Sequence, residues 1–205
     1  MDIQLNFINR SQDQNNSCIF LFQKNAATQL EQLATAWKVI RNCGHQCNHP
    51  LAYSTDLETC IHDQYGNYSS RRAVQPGELF SLSPLPAGRS FSKVGKHSSA
   101  REFAVRNDLV RGAVDVGVYS DGRLLALKTN VAPGQKAVFE FTPTLWIGAA
   151  SQVIEGQTLN SAILSNVNTE LSLLGIARAD IVMTGGGTGR DCAPLQFSLE
   201  NVAMA

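Results

Sequence analysis

The sequence predicts an all-β protein: an antiparallel β-sandwich of jelly-roll or Greek-key type, with one or two short helices in its connections. Three observations carry that expectation. Apolar and polar residues alternate in short runs, turn-forming residues bound those runs, and helical spacing of apolar residues is confined to two places. A chain of 205 residues with 43% hydrophobic content can bury a full core, and it reads as a single β-sandwich domain over 1–205.

Taken in order, Ile3, Leu5 and Phe7 alternate with Gln4 and Asn6, and the turn-rich SQDQNN leads into CIFLFQ at 18–23. This pair reads as an N-terminal hairpin. Residues 28–40 carry a capping box at Thr28 and Glu31, with Leu30, Leu33, Trp37 and Ile40 at helical spacing. The tail of that segment, AWKVI, reads equally as a strand entered from the helix. The pentapeptides VQPGE at 74–78 and VAPGQ at 131–135 each place Pro-Gly where a type II turn needs it. They read as one local solution used twice, not as a duplicated domain. Residues 83–101 are rich in Ser, Gly and Pro and read as a long surface loop. Val114, Val116 and Val118 then alternate toward Asp121-Gly122, the strongest short hairpin signal in the chain. Phe139 and Phe141 mark a further strand. Leu159, Ile163, Val167 and Leu171, four apart, predict a second helix within 157–171. Leu195, Phe197 and Leu199 close the chain with another strand, for about eight to ten strands by this reading.

Charged residues are 17% of the chain, below the roughly 25% usual for soluble domains. Lysine plus arginine total 17, as do aspartate plus glutamate, so the formal net charge is zero. A neutral, lightly charged surface favours self-association and gives no long-range capture of nucleic acid, so a homo-oligomer without a nucleic-acid partner is expected. The first residues show neither a basic n-region nor an apolar h-region, which makes the cytoplasm the expected location and export by another route the alternative. No run approaches the roughly 18 apolar residues that a membrane-spanning helix needs, and no transmembrane span is expected.

Three segments carry candidate chemistry. In CGHQCNH, Cys43, His45, Cys47 and His49 fall at alternate positions, and His62 follows Cys60 at the same C-x-H spacing. Thiolates and imidazoles are zinc ligands, and alternate residues of a strand share a face. The competing reading is a loop of small cysteines and hydrogen-bonded histidines. In TGGGTGRD at 184–191, the glycines would let backbone amides converge on an anion, but no helix pattern follows. A tightly bent connection between strands explains them equally. Over 71–111, eight basic residues stand against three acidic ones; Arg89, Lys93, Lys96 and Arg101 are the candidate contacts to an anionic lipid or glycan surface. Ser90 and Lys93 fit S-x-x-K without its companion motifs, and HDQYGN at 62–67 reads as a hairpin turn.

The functional expectation is a non-catalytic interaction protein. It would be a self-assembling subunit or a membrane- or glycan-binding β-sandwich, with pore formation in the same class and no cofactor. The alternative is a zinc-dependent enzyme built on the 43–62 cluster, for which Asp56, Glu58 and Asp63 are the nearby carboxylates.

Overall fold

Period-two alternation forms the strands it predicts, and many more besides. The structure is a computed structural model that describes residues 2–27, 34–164, 167, 169–188 and 192–205. Among these residues lie sixteen strands and one helical turn, α1 (Ser161–Leu164). The protein is all-β and sandwich-like. Its backbone packing divides into two compact units.

The first unit comprises Met1–Gln23, Thr35–Thr55 and Pro143–Ala205. One of its sheets contains β1 (Asp2–Asn9), β4 (Asn48–Ser54), β15 (Ile176–Gly186) and β16 (Ala193–Met204), in the order β16-β15-β1-β4. The other contains β2 (Cys18–Phe22), β3 (Lys38–Ile40), β13 (Thr144–Ala150) and β14 (Thr169–Ser172), in the order β14-β13-β2-β3. Ile3, Leu5 and Phe7 are buried on alternate positions of β1, as its sequence requires. Trp37 meets Tyr53 edge-on at 6.1 Å, and the buried Gln23 amide donates to the Tyr53 hydroxyl at 2.8 Å.

The second unit comprises Lys24–Ala34 and Asp56–Thr142. Here β5 (Leu57–Asp63), β6 (Arg72–Val74), β10 (Val114–Ser120) and β11 (Arg123–Val131) form a sheet ordered β11-β10-β5-β6. The companion sheet is β12-β9-β7-β8, made of β7 (Glu78–Leu85), β8 (Gly88–Lys96), β9 (Phe103–Asn107) and β12 (Lys136–Phe139).

The two units repeat one topology. Each strand of the first eight answers to the strand eight places later: β1 to β9, β2 to β10, and so on to β8 and β16. Under that correspondence both sheet orders of one unit become those of the other. The parallel pair β1–β15 maps onto the parallel pair β7–β9, and all other pairs are antiparallel in both. The register agrees as well. Asn9 stands opposite Met183 and Asn107 opposite Leu82, and the next amide in each strand, of Arg10 or Asp108, donates to that partner's carbonyl at 2.9 Å. Each unit therefore takes four strands from each half of an eight-strand tandem repeat. The VQPGE and VAPGQ turns join β6 to β7 and β11 to β12, which do not correspond. Their likeness is local, as expected from the sequence, and the repeat of topology lies elsewhere.

Several expectations are corrected. The first two strands are not a hairpin, because β1 and β2 belong to different sheets. SQDQNN carries the chain from one sheet to the other, tied down by Asn9 and Ser11, both buried. The predicted helix at 157–171 reduces to α1, and Thr169–Ser172 is strand. Leu159, in the connection before α1, and Leu171, on β14, are both buried, so core burial accounts for both without a continuous helix. The helix expected from Thr28 lies in part outside the described residues, and Lys38–Ile40 is strand. The loop expected at 83–101 is mostly the β7–β8 hairpin, closed between Leu85 and Gly88. The Asp121-Gly122 hairpin forms as predicted, with both residues at positive φ.

Candidate functional site

The CGHQCNH segment is the turn that leads into β4, and its closest likeness is VAPGQ. The Cys47 amide donates to the Gly44 carbonyl at 3.0 Å, as Gln135 does to Ala132 at 3.0 Å. Gln46 adopts φ 60° where Gly134 adopts 79°. The Asn9 backbone binds this turn through Cys47 and Gln46, as the Asn107 backbone binds the other through Gln135 and Gly134. The side chains repeat the arrangement. Asn9 Nδ2 donates to the Cys43 carbonyl at 2.7 Å, and Asn107 Nδ2 to the Val131 carbonyl at 2.9 Å. Cys43, His45 and Cys47 thus stand where Val131, Pro133 and Gln135 stand in the other unit. His45 Nδ1 donates to the Ser11 carbonyl at 2.7 Å. Burial, with Cys47 nearby, pushes the Cys43 thiol up, and burial with Lys38 nearby lowers the His49 imidazole. His62 lies on β5, in the second unit. Among the described residues, no three His, Cys, Asp or Glu side chains converge as ion ligands.

The four basic residues singled out in the sequence lie on or just after the edge strand β8, and three of them pair with carboxylates. Arg89 lies 3.5 Å from Asp63, Lys93 2.5 Å from Glu78, and Arg101 3.4 Å from Glu140. Burial works to raise the Glu78 carboxyl, but hydrogen bonds from Lys93 and the Gln75 amide leave it below its ordinary value. Among the described residues, Lys96 has no ion-pair partner. Basic residues on an unpaired strand also keep other strands from adding to it.

A further cluster lies on the second unit's β5–β10 sheet. Alternation along β5 puts Glu58, Cys60 and His62 on one face, and the register brings Tyr119 and Gly117 beside them from β10. His62 Nε2 is 2.9 Å from the Tyr119 hydroxyl, the Tyr68 ring lies 4.3 Å from the imidazole, and the Arg71 guanidinium sits 3.9 Å over the Tyr119 ring. A side chain at Gly117 would come within 2.8 Å of His62 Nε2, so only glycine admits this contact. Burial pushes the Cys60 thiol and the Tyr119 phenol up. Burial, reinforced by Arg71 and opposed by Asp115, pushes the His62 imidazole down. At neutral pH the thiol and phenol keep their protons and the imidazole is uncharged, so the cluster presents no activated nucleophile. Sequence alternation contained this face, but the β5–β10 register that assembles it is visible only in the fold.

Gly185 and Gly186 of TGGGTGRD serve close packing. A Cβ on Gly185 would fall 2.1 Å from the Pro194 carbonyl oxygen, and one on Gly186 2.7 Å from the Asp13 nitrogen. The Gly187 amide donates to the Gln12 carbonyl at 3.0 Å. Residues 189–191 lie outside the described residues. The turn expected at HDQYGN forms, with Asp63 Oδ1 accepting from the Tyr65 and Asn67 amides.

Compared with protein-family models, curated proteins and solved structures, the chain matches none.

Proposed function

We propose that the chain is a non-catalytic interaction protein whose copies assemble edge to edge through β16. The observation that carries this reading is a contrast between two corresponding edge strands. β8 has nine residues and three basic side chains, Arg89, Lys93 and Lys96. β16 has twelve residues and one charged side chain, Glu200, which Arg10 neutralises at 2.8 Å. An unpaired strand presents a row of free backbone donors and acceptors, and a long edge without repelling charge is a template for another strand. Although β16 is bulged toward both ends, its register runs unbroken from Gln196 to Glu200.

Antiparallel self-pairing centred on Ser198 sets Phe197 against Leu199 of the partner and Gln196 against Glu200, with no like charges opposed. Zero net charge adds no long-range repulsion. Native mass spectrometry tests the reading, with Ser198→Lys as the control. Ser198 is exposed, and a lysine there meets its own copy across the two-fold axis. The wild type is expected as an even-numbered oligomer and the variant as a monomer; a monomeric wild type overturns the proposal.

A further inference from the structure

The second unit has a cleft of about 200 Å³ at the open mouth between its sheets, beside β6 and β8. Ile61, Leu82 and Phe91 make its floor, while Tyr68, Asn67 and Arg89 stand on its walls and rim. We propose that this cleft binds an acidic sugar unit, with the pyranose ring against Tyr68 and its carboxylate or sulfate on Arg89.

Four observations support this ligand class. Tyr68 is 66% exposed, and its ring is backed by His62 at 4.3 Å, so it offers an open, braced aromatic surface. Tyr65, in the adjoining turn, is also largely exposed. The Arg89 guanidinium has five N–H donors and one loose contact, 3.5 Å to Asp63, and its side chain is 44% exposed. Asp63 also lines the cleft and is held ionised by hydrogen bonds from the Tyr65 and Asn67 amides and Asn67 Nδ2, so an anionic ligand shares Arg89 with it. An apolar floor with a few convergent polar groups is the general form of a small-ligand site.

The repeat adds an independent argument. The corresponding mouth of the first unit is open too, with about 760 Å³ left by its described lining on β13, β14 and β16. An opening at the same place in both units is a feature of the fold and not a local packing defect. The register places Phe197 where Phe91 lies, opposite Met183 and Leu82 respectively, and Leu195 lines the first unit's opening as Arg89 lines the second's. Among the described lining residues of the first unit's opening none is basic, so within those residues the anion-recognising group is a feature of the second unit's cleft. A flat anionic membrane fits this region less well, since Glu78 and Glu140 neutralise the neighbouring Lys93 and Arg101.

The test is calorimetric titration of the full-length chain with a sulfated heparin disaccharide, using lactose as the neutral control and phosphatidylserine vesicles as the membrane control. Saturable binding of one disaccharide per chain is expected, with lactose and vesicles silent. Arg89→Gln and Tyr68→Ala should each weaken it at least tenfold, and Lys96→Gln should leave it unchanged. Tyr68 is exposed, so its truncation tests the site without unfolding the sheet. No wild-type binding, equal binding by both variants, equal binding of lactose, or a response to vesicles alone would overturn the proposal. The site does not depend on self-association: Ser198→Lys is expected to bind the disaccharide as the wild type does, so the two proposals fail separately.

Discussion

Replacing Asn107 with alanine probes the repeat at its most constrained point. Asn107 is 1% exposed; its Oδ1 accepts from the Leu109 amide at 3.1 Å, and its Nδ2 donates to the Gly112 and Val131 carbonyls at 3.0 and 2.9 Å. Alanine leaves the buried Leu109 donor without that acceptor and removes a donor from two carbonyls. At about 1–3 kcal/mol for each buried group left unsatisfied, and with Gly112 itself exposed, the loss comes to about 3 kcal/mol. For a chain of this length, that corresponds to a fall in Tm of about 6–12 °C. Asn9 performs the same task, accepting from the Ser11 amide at 2.8 Å and donating to the Cys43 carbonyl at 2.7 Å, so Asn9→Ala should cost a similar amount. Asn107→Asp should be worse than alanine, because it turns a second oxygen toward two carbonyls. Thermal and urea denaturation give both numbers. A loss below about 0.5 kcal/mol at either site, the range of ordinary surface substitutions, would refute the reasoning.

Other outcomes follow from the same structure. Cleavage at an engineered protease site within 98–100, between β8 and β9, should yield two fragments that co-elute under native conditions and part in denaturant, because each unit holds strands from both halves; separation without denaturant would contradict the repeat as described. His62 has a lower pKa folded than unfolded, so below about pH 6.5 the unfolded chain takes up a proton that the folded chain resists. Stability should be full above that pH and fall as the pH drops toward 5, and His62→Gln should flatten part of the fall in pH-dependent melting curves; an unchanged slope would count against the lowered pKa of this half-buried imidazole. Gly185→Ala should destabilise by at least about 2 kcal/mol, since φ is +88° and the new methyl would overlap the Pro194 carbonyl, whereas Gly95→Ala, with open space and ordinary φ, should be near neutral by the same melts.

What the sequence disclosed was local. The Asp121-Gly122 and Pro-Gly turns and the alternation on β1 were legible, because each depends on a few adjacent residues, whereas β10 buries Val116 through Ser120 on both faces. The β7–β8 hairpin was hidden by its Ser, Pro and Gly content, which resembles a loop when only one side chain of β8, Phe91, is buried. The tandem repeat was invisible because few corresponding positions share a residue type, Asn9 with Asn107 and Phe197 with Phe91 being exceptions: Cys43 matches Val131, and His45 matches Pro133. The histidine–tyrosine cluster and the Arg89 cleft both depend on strand pairing between segments far apart in the chain, which periodicity does not report. The cysteine–histidine segment at 43–49 makes the backbone contacts of a turn, a role that its spacing alone does not distinguish from ligation.

The assembly proposal is tested most directly by native mass spectrometry of the wild type beside Ser198→Lys. An even-numbered oligomer that becomes monomeric in the variant is the predicted result. A wild-type monomer, or an oligomer that the lysine leaves intact, would contradict assembly through β16.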